Sequence, residues 1–254
     1  MLKIPSLLES LPGFPPQDFA AFGETERLPV NKWQKIGGRF LARNWVGIPH
    51  DTHNDELHVT GLEAERQTLN AQRSQKITLL PLLAAASVPL LRQFPKFNAS
   101  LDEAGDNLIL KKYFHVGIAV DTPNGLLVPV IRDCDRKSVE DIAEEIAVYS
   151  AKARGAGLSM AEMSGGCFTI SSLGHIGGTG FTPIINWPEV AILGVCRTRA
   201  NVVLKGGHLQ NRIMLPVSLS YDHRVLNGVD AAYFTRALEV VLTSSEFLAT
   251  LKTA

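Results

Sequence analysis

The segment YDHRVLNG, residues 221–228, constrains the fold more than any other part of the chain because it joins an apolar run to a helical pattern. Residues 213–220, which precede it, are mostly apolar or branched, and they predict a strand. The residues after Gly228 predict a helix. The sequence therefore places His223 where a strand leaves a sheet.

Two interpretations of His223 follow from its neighbours. Adjacent side chains on an extended backbone point to opposite faces, so Asp222 and Arg224 share one face and His223 occupies the other. In the simpler interpretation, Asp222 and Arg224 form an ion pair at the strand end, and His223 is a satisfied interior histidine. In the second, a neutral imidazole, with an unperturbed pKa of about 6.5, removes a proton from a thiol. Asn227, at the mouth of the helix, can turn its side chain back toward His223, and Gly228 allows backbone conformations that other residues resist.

Length and charge limit the classes of protein to consider. With 254 residues, 45% of them hydrophobic, the chain can bury a substantial core as one large domain or two small ones. Its 25 basic and 25 acidic residues cancel, and no basic block is present, which argues against a nucleic-acid partner. No run reaches the roughly 18 apolar residues of a membrane span, so no membrane partner is expected.

The cysteines favour a reducing compartment. Cys134, Cys167 and Cys196 are odd in number, widely spaced and without a CxxC pair, which argues against a disulfide framework and a structural zinc site. Prolines interrupt the apolar residues at the N-terminus, so it lacks the continuous core of a signal peptide. We therefore expect a cytoplasmic protein.

Residues 1–30 predict an extended arm, and residues 31–254 predict the folded domain. Five prolines and scattered large apolar residues in the first thirty positions disfavour a helix there. Side chains such as Phe14, Phe19 and Phe22 need a surface, since burial of each stabilises by roughly 1.5–3 kcal/mol. That surface is either a neighbouring subunit or the chain's own body.

The remaining chain alternates helical and strand-like patterns, which predicts an α/β fold. Asn31 can cap a first helix, a second helix follows Thr60, and residues 79–95 are apolar nearly all round, as in a buried helix. Asn124-Gly125 between two branched runs predicts a hairpin turn. Ser138 begins a further helix with a capping box.

Three histidines, His50, His53 and His58, raise the question of a metal site. They fall on a predicted strand, where positions 50 and 53 face opposite ways and positions 50 and 58 are about 26 Å apart. We therefore expect no metal at these residues.

The segment from 165 to 195 contains a second candidate site. CFTISS predicts a strand, and the glycines of the following loop indicate a tight, buried loop rather than a phosphate cradle, because neither phosphate-binding motif is present. Ser171 and Ser172 lack the G-x-S-x-G elbow of a serine hydrolase. A serine at this strand end either donates a hydrogen bond to a developing oxyanion or only closes the turn.

Several motifs resemble one family. YDHRVLNG is similar to the histidine motif DHRxxDG of the dihydrolipoyl acyltransferases of 2-oxo acid dehydrogenase complexes, which is related to HxxxDG in chloramphenicol acetyltransferase. Asn227 stands where Asp is commoner, which leaves the histidine without a charged partner at that position. RNWVGIPH, DTPNGLLVPVI, FTISSLGHIGG and PEVAILGV resemble segments of pyruvate-type dihydrolipoyl acetyltransferases, in the same order, from about residue 18.

The resemblance implies a fold and an assembly. It implies an α/β, chloramphenicol acetyltransferase-like domain with a mixed sheet and packed helices, assembled as a trimer, with a 24-mer or 60-mer core as the higher assembly. It implies His223 as general base, Ser171 as the oxyanion donor and Asn227 beside the histidine, with the histidine of one subunit meeting the serine of its neighbour.

The same resemblance implies the chemistry and the partners. The reaction is acyl exchange between S-acyl dihydrolipoyl groups and coenzyme A, without a metal, with the lipoyl group supplied by a separate domain or chain. Lipoyl domains and the partner enzymes of a dehydrogenase complex are the expected partners. The residues that hold coenzyme A stay unassigned.

Two departures keep alternatives open. The chain shows neither a lipoyl domain nor a partner-binding domain, so we expect an excised piece or a stand-alone relative. Trp187 replaces a residue that is usually small, with an expected effect on an interface or a substrate channel. The alternatives are a non-catalytic structural core and a coenzyme A-dependent acetyltransferase for a small hydroxyl or amine.

Overall fold

The computed structural model describes residues 13–71, 73 and 76–251, which form an α/β fold around one mixed sheet. The α-helices are α1 (Lys32–Gly47), α2 (Thr60–Ala71), α3 (Leu79–Gln93), α4 (Val139–Arg154), α5 (Gly228–Thr243) and α6 (Ser245–Thr250). The strands are β1 (His50–His58), β2 (Ala99–Leu101), β3 (Leu108–Leu110), β4 (Val116–Ile118), β5 (Val120–Thr122), β6 (Gly125–Leu127), β7 (Val130–Ile131), β8 (Phe168–Ser172), β9 (Ala191–Val195), β10 (Arg199–Lys205) and β11 (His208–Asp222). Short 3-10 helices lie at Phe19–Phe22, Pro95–Asn98, Cys134–Arg136 and Met160–Met163.

The main sheet has seven strands, in the order β1-β11-β9-β8-β4-β7, and β10 pairs with β11 beside this path. The β4–β8 and β8–β9 pairs are parallel, whereas the other pairs are antiparallel. Two further hairpins, β2–β3 and β5–β6, stand apart from the sheet. The mixed sheet with packed helices confirms the predicted fold class.

Capping residues set the helix boundaries as the sequence predicts. The Asn31 side chain accepts from the backbone N–H of Gln34, and the Gln34 side chain accepts in return, which completes a capping box at the start of α1. Ser138 and Asp141 form the same box at the start of α4. A third capping box, formed by Ser159 and Glu162, begins the four-residue 3-10 turn Met160–Met163.

The predicted hairpin forms, but its turn lies one residue earlier. Thr122 pairs with Gly125, so Pro123 and Asn124 make the two-residue loop between β5 and β6. Proline already holds the φ that suits the first position of a turn. The Thr122 hydroxyl accepts from the backbone N–H of Asn124 at 3.2 Å, which adds a local hydrogen bond to that turn.

Helices α3, α4 and α5 cover one face of the sheet, and an aromatic cluster joins α5 to it. Phe234 of α5 is fully buried, with its ring centroid 4.4 Å from that of Phe97 and 5.6 Å from that of Phe168 in β8. The same core contains Leu193, Leu219 and, at the far end of β11, Tyr221. We call this side the helix-covered face.

The opposite face lies against the segment from 173 to 190. Ile48, Ile185 and Ile192 form a small separate cluster there. A Cβ on Gly194 would stand 2.8 Å from the Phe181 ring, so a glycine is required for that close contact. The glycine loop at the start of this segment was expected to be buried, but Gly178 and Gly180 are exposed, because the loop runs beyond the end of β8.

The arm contacts little of the chain's own body over the part that the structure describes. Residues 1–12 lie outside the described residues. From residue 13 to residue 30, the backbone forms no helix or strand apart from the 3-10 turn at Phe19–Phe22, and every residue is exposed. Phe14, Phe19 and Phe22 are each at least 69% exposed. The prediction offered two surfaces for these side chains, a neighbouring subunit and the chain's own body. In the described structure, the chain's own body does not cover them.

None of the helices in the described ranges is long and apolar enough to cross a bilayer.

We predict that Phe234→Ala lowers the free energy of unfolding by about 3–5 kcal/mol, because it leaves a cavity between α5 and the sheet. Urea unfolding followed by circular dichroism measures this change. The matched control is Val240→Ala on the exposed side of the same helix, where Val240 is 67% exposed. Equal losses in both variants would contradict the assigned position of the core.

Candidate active site

His223 occupies the turn between β11 and α5, as the sequence predicts. The strand ends at Asp222, whose carbonyl accepts from the backbone N–H groups of Val225 and Leu226. The backbone N–H of His223 donates to the carbonyl of Pro49 at 3.0 Å, which ties the turn to the start of β1. The His223 side chain is 53% exposed. The interpretation of His223 as an interior histidine is therefore wrong.

The predicted ion pair between Asp222 and Arg224 is confirmed. Arg224 Nη2 lies 2.5 Å from Asp222 Oδ2, and Arg224 Nε donates to Asp222 Oδ1 at 2.9 Å. The Asp222 side chain is 3% exposed. Its hydrogen bond raises the pKa of Arg224 above the ordinary value. The bidentate pair holds the backbone of the turn from the side opposite the histidine.

An acidic residue that the sequence did not single out also lies beside His223. Asp51 of β1 pairs with Tyr221 of β11, and its Oδ2 is 3.8 Å from His223 Nε2. Tyr221 Oη donates to the same oxygen at 2.7 Å. That hydrogen bond is the main cause of the lowered pKa of Asp51. Burial, followed by the bond to Asp51, raises the pKa of Tyr221 to about 12.

No local pattern could have identified Asp51, because it is separated from Tyr221 by 170 positions. The antiparallel register of β1 on β11 alone brings the two segments together. The signal available in the sequence was limited to the predicted strand after Pro49.

Asn227 caps α5 with its side chain instead of turning toward His223. Its Oδ1 accepts from the backbone N–H groups of Val229 at 2.9 Å and Asp230 at 3.0 Å, and the Asp230 side chain completes a capping box. Two unsatisfied helix N–H groups compete for this oxygen more effectively than an exposed imidazole does. Asn227 Nδ2 donates to no other residue in the described part of the chain.

Ser171 lies near the end of β8 with a free hydroxyl. It pairs with Gly194 of β9 and is half-buried, and its Oγ forms no hydrogen bond with any residue that the structure describes. The neighbouring Ser172 has the turn-closing role, since its Oγ accepts from the backbone N–H of Gly174 at 3.2 Å. Ser171 Oγ is therefore available to an external group.

Ser171 and His223 are far apart within one chain. Ser171 pairs through Gly194 with Ser218, and His223 lies five residues beyond Ser218. At ~3.4 Å per residue and ~4.8 Å per strand spacing, these positions are about 17 Å apart along the strands and 10 Å across them, or about 20 Å overall. The face also differs. His223 lies beside Tyr221 of the helix-covered face, whereas Ser171, Gly194 and Ser218 belong to the opposite face.

A buried carboxyl group lies against the strand that holds Ser171. Thr169, two residues earlier on the same face, donates through Oγ1 to Glu189 Oε1 at 2.9 Å. Glu189 is 3% exposed, its Oε2 has no partner in the described structure, and burial raises its pKa to about 7. Burial also lowers the pKa of the nearby Lys111, whose Nζ donates to the carbonyl of Gly166.

The three histidines of β1 have separate environments. His50 Nε2 accepts from the backbone N–H of Ile185 at 2.9 Å, and His58 Nε2 lies 2.8 Å from Thr60 Oγ1. His53 Nε2 is 3.7 Å from Asp55. The strand prediction for these residues is confirmed, and no group of three or more His, Cys, Asp or Glu residues suited to a metal occurs within the described ranges.

Trp187, the unusual residue of this segment, lies on the surface. It is 58% exposed, and the Arg43 guanidinium of α1 stacks 4.9 Å from its ring centroid. The peptide bond between Trp187 and Pro188 is cis.

A family model described as "2-oxoacid dehydrogenases acyltransferase (catalytic domain)" matches residues 22–250. Two similar curated proteins are the dihydrolipoyllysine-residue acetyltransferase components of the pyruvate dehydrogenase complexes of Pseudomonas aeruginosa and Azotobacter vinelandii. The first is 51% identical over 91% of this chain and 43% of its own length, and the second is 52% identical over 87% and 35%. The chain therefore spans less than half the length of these curated relatives.

Solved structures match over the whole folded region. A structure from a study of a serine, a histidine and an asparagine in the catalytic mechanism of Azotobacter vinelandii dihydrolipoamide acetyltransferase has a TM-score of 0.90 at 49% identity, covering 94% of this chain and all of the other. The cubic core of a pyruvate dehydrogenase multienzyme complex matches with the same score and coverage at 50% identity. Chloramphenicol acetyltransferase, at 13% identity, has a TM-score of 0.53 over 85% of this chain and 95% of its own, which confirms the expected fold.

We predict that Glu189→Gln removes a pH dependence of stability. The raised pKa means that the folded protein retains a proton that the unfolded chain releases, so the stabilisation is complete below about pH 4.5 and is lost as the pH rises to about 7. The loss amounts to roughly 3 kcal/mol at most. Urea unfolding between pH 5 and pH 8 should show a steeper decline for the wild type than for the variant. Glu103→Gln on the exposed surface is the control, and parallel profiles for Glu189→Gln and the wild type would contradict the burial of a proton at Glu189.

Proposed function

Because the chain belongs to the 2-oxoacid dehydrogenase acyltransferase (catalytic domain) family, we propose that it transfers an acetyl or other short acyl group between S-acyl dihydrolipoyl groups and coenzyme A. Relatives about half identical to it are named dihydrolipoyllysine-residue acetyltransferases, which supports an acetyl group as the substrate.

One observation supports this proposal most directly. In the Azotobacter vinelandii structure named for its catalytic serine, histidine and asparagine, the serine precedes the histidine by 52 residues and the histidine precedes the asparagine by four. Ser171, His223 and Asn227 are separated by the same 52 and four positions. These are the three residues that the motifs predict as the site.

The proposed mechanism assigns one proton transfer to His223 and charge stabilisation to Ser171. The imidazole takes the proton of the incoming thiol, and the thiolate sulfur attacks the thioester carbonyl. The Ser171 hydroxyl donates to the resulting oxyanion. Collapse of the intermediate breaks the original carbon–sulfur bond, and the imidazolium returns its proton to the departing sulfur. Asn227, whose Oδ1 caps α5, contributes by fixing the turn that presents the histidine.

The separation of the two groups supports a site shared between two copies of the chain. Ser171 and His223 are about 20 Å apart and on different faces, by the strand register and spacing. A contact in which each copy offers its serine to one neighbour and its histidine to the other is head-to-tail, and such contacts form a ring when the rotation between copies closes. We propose a trimer as that ring, with a 24-mer or 60-mer core as the higher assembly, as the cubic core of the similar complex suggests.

The same proposal includes the partners. Coenzyme A acts as a substrate, the lipoyl group comes from a separate domain or chain, and lipoyl domains and dehydrogenase-complex enzymes are the partners. The division into an arm at residues 1–30 and a catalytic domain at residues 31–254 is part of this proposal. A cytoplasmic location is supported by the three cysteines, all of which are unpaired and buried.

We predict that His223→Ala lowers the rate of acyl transfer from acetyl-CoA to free dihydrolipoamide by about 10²–10⁴-fold, because general base catalysis is lost. His208→Ala, on the exposed β10–β11 hairpin, is the matched control and should stay active. Circular dichroism and sedimentation should show an unchanged fold and assembly in both.

Three outcomes of this assay would overturn the proposal. Wild-type activity in His223→Ala would remove the histidine from the mechanism. If the wild type transfers no acetyl group to any acceptor, the chain is the non-catalytic structural core. If it acetylates a hydroxyl or amine compound instead of dihydrolipoamide, it is the small-molecule acetyltransferase.

We predict that replacing Phe14, Phe19 and Phe22 together with serine weakens self-association, because the proposed neighbouring subunit buries these exposed rings and each burial stabilises by roughly 1.5–3 kcal/mol. Sedimentation velocity over a range of protein concentrations measures the change. A variant with leucine at the same three positions keeps the apolar character and should associate nearly as the wild type does. Unchanged association of the serine variant would show that the arm contacts no neighbour.

A further inference from the structure

We propose that Asp51 is a positioning residue for His223, with a carboxylate that holds the imidazole in place and stabilises its protonated form during acyl transfer. This inference rests on the proposed function and adds a residue that lies outside the motifs from which that function was predicted. The geometry that supports it lies at the end of the β1–β11 pair.

The strand register places the three side chains together. Asp51 pairs directly with Tyr221, and directly opposed residues of an antiparallel pair share a face. His223 follows Tyr221 by two positions and lies on the same side, with the two ring centroids 5.8 Å apart. Asp51 Oδ2 is 3.8 Å from His223 Nε2, which is ion-pair distance rather than hydrogen-bond distance.

The carboxylate of Asp51 is fixed before any ligand binds. The backbone N–H of Thr52 donates to Oδ1 at 2.7 Å, and Tyr221 Oη donates to Oδ2 at 2.7 Å. Tyr221 itself is 1% exposed, so the phenol that holds Oδ2 has little freedom to move. At 3.8 Å, Oδ2 acts on His223 through its charge, because an Nε2 that takes up the thiol proton has no hydrogen to donate before the reaction.

The surrounding charges favour an ionised Asp51. The hydrogen bond from Tyr221 is the largest cause of its lowered pKa, followed by the bond from Thr52, and the nearby His223 and His53 act in the same direction. Asp230 of α5 acts on Tyr221 and, like Asp51, favours the neutral phenol. Asp222, the remaining acid of the turn, is neutralised by Arg224. Asp51 is thus the unneutralised negative charge nearest the imidazole in the described structure.

The role of this charge follows the movement of one proton. When Nε2 takes the proton of the incoming thiol, a positive imidazolium and a thiolate form. The fixed carboxylate attracts the imidazolium and restrains its ring until the proton returns to the departing sulfur. Asp51 neither gains nor loses a proton, so the reaction stays balanced without another reactant.

The test uses the assembled protein and compares Asp51→Asn with Asp106→Asn, which removes the same charge from an exposed turn. Acyl transfer from acetyl-CoA to dihydrolipoamide is followed from pH 5 to pH 9. In Asp51→Asn, kcat should fall about tenfold with KM for acetyl-CoA within twofold, and the acidic limb of kcat/KM should move to lower pH by roughly half a unit. Asp106→Asn should match the wild type in kcat, in KM and in the position of the acidic limb.

Two further variants separate positioning from a structural effect. Asp51→Glu keeps the charge and should restore the position of the acidic limb even where kcat recovers only in part. Tyr221→Phe removes the bond that fixes Oδ2, so kcat should fall less than in Asp51→Asn.

Three results would decide against the inference. A wild-type acidic limb and kcat in Asp51→Asn would show that the carboxylate has no role. An acidic limb in Asp51→Glu that matches Asp51→Asn would show that the charge is not the cause. If the wild type transfers no acyl group at all, the proposed function fails first, which is a different result from an active wild type and an unaffected Asp51→Asn.

Discussion

The antiparallel pairing of β11 with the three strands on its two sides is the interaction on which the rest of the structure depends. This strand is 15 residues long and pairs with β1 on one side and with β9 and β10 on the other. The last eight residues of the strand, ending at Asp222, are all buried. The strand therefore cannot shift by one residue without moving its apolar side chains to the wrong face. That fixed register determines where His223 leaves the sheet and which residue of β1 it meets.

Two different interactions hold the turn after β11, an ion pair and a helix cap. The ion pair of Asp222 with Arg224 lies on one side, and the cap formed by Asn227 and Asp230 fixes the start of α5. On the other side, His223 stays exposed beside Asp51 and Tyr221. A rigid turn that presents an exposed imidazole is the arrangement that general base catalysis requires, because the base must be held in place and must also be reached by a thiol.

The position of Ser171 is the reason that we propose a site shared between copies of the chain. Its hydroxyl bonds to no residue in the described ranges, and strand order and register put it about 20 Å from His223 and on the other face of the sheet. The exposed phenylalanines of the arm also favour contact with a second copy, since burial of an aromatic ring against a partner is stabilising. Both observations support the proposed assembly of copies in which each chain completes its neighbour's site.

The sequence by itself determined the α/β class, the capped helices that begin after Asn31 and Ser138, the strands that hold Ser171 and His223, and the ion pair of Asp222. Each of these depends on residues close together in the chain, where periodicity, capping and alternation are sufficient. Local patterns were insufficient for the turn at Pro123, which lies one residue from its predicted place, and for Asn227, whose side chain binds the helix start. Only the tertiary structure decided that Asp51 stands beside His223 and that Ser171 stands far from it, because strand pairing between distant segments sets both distances.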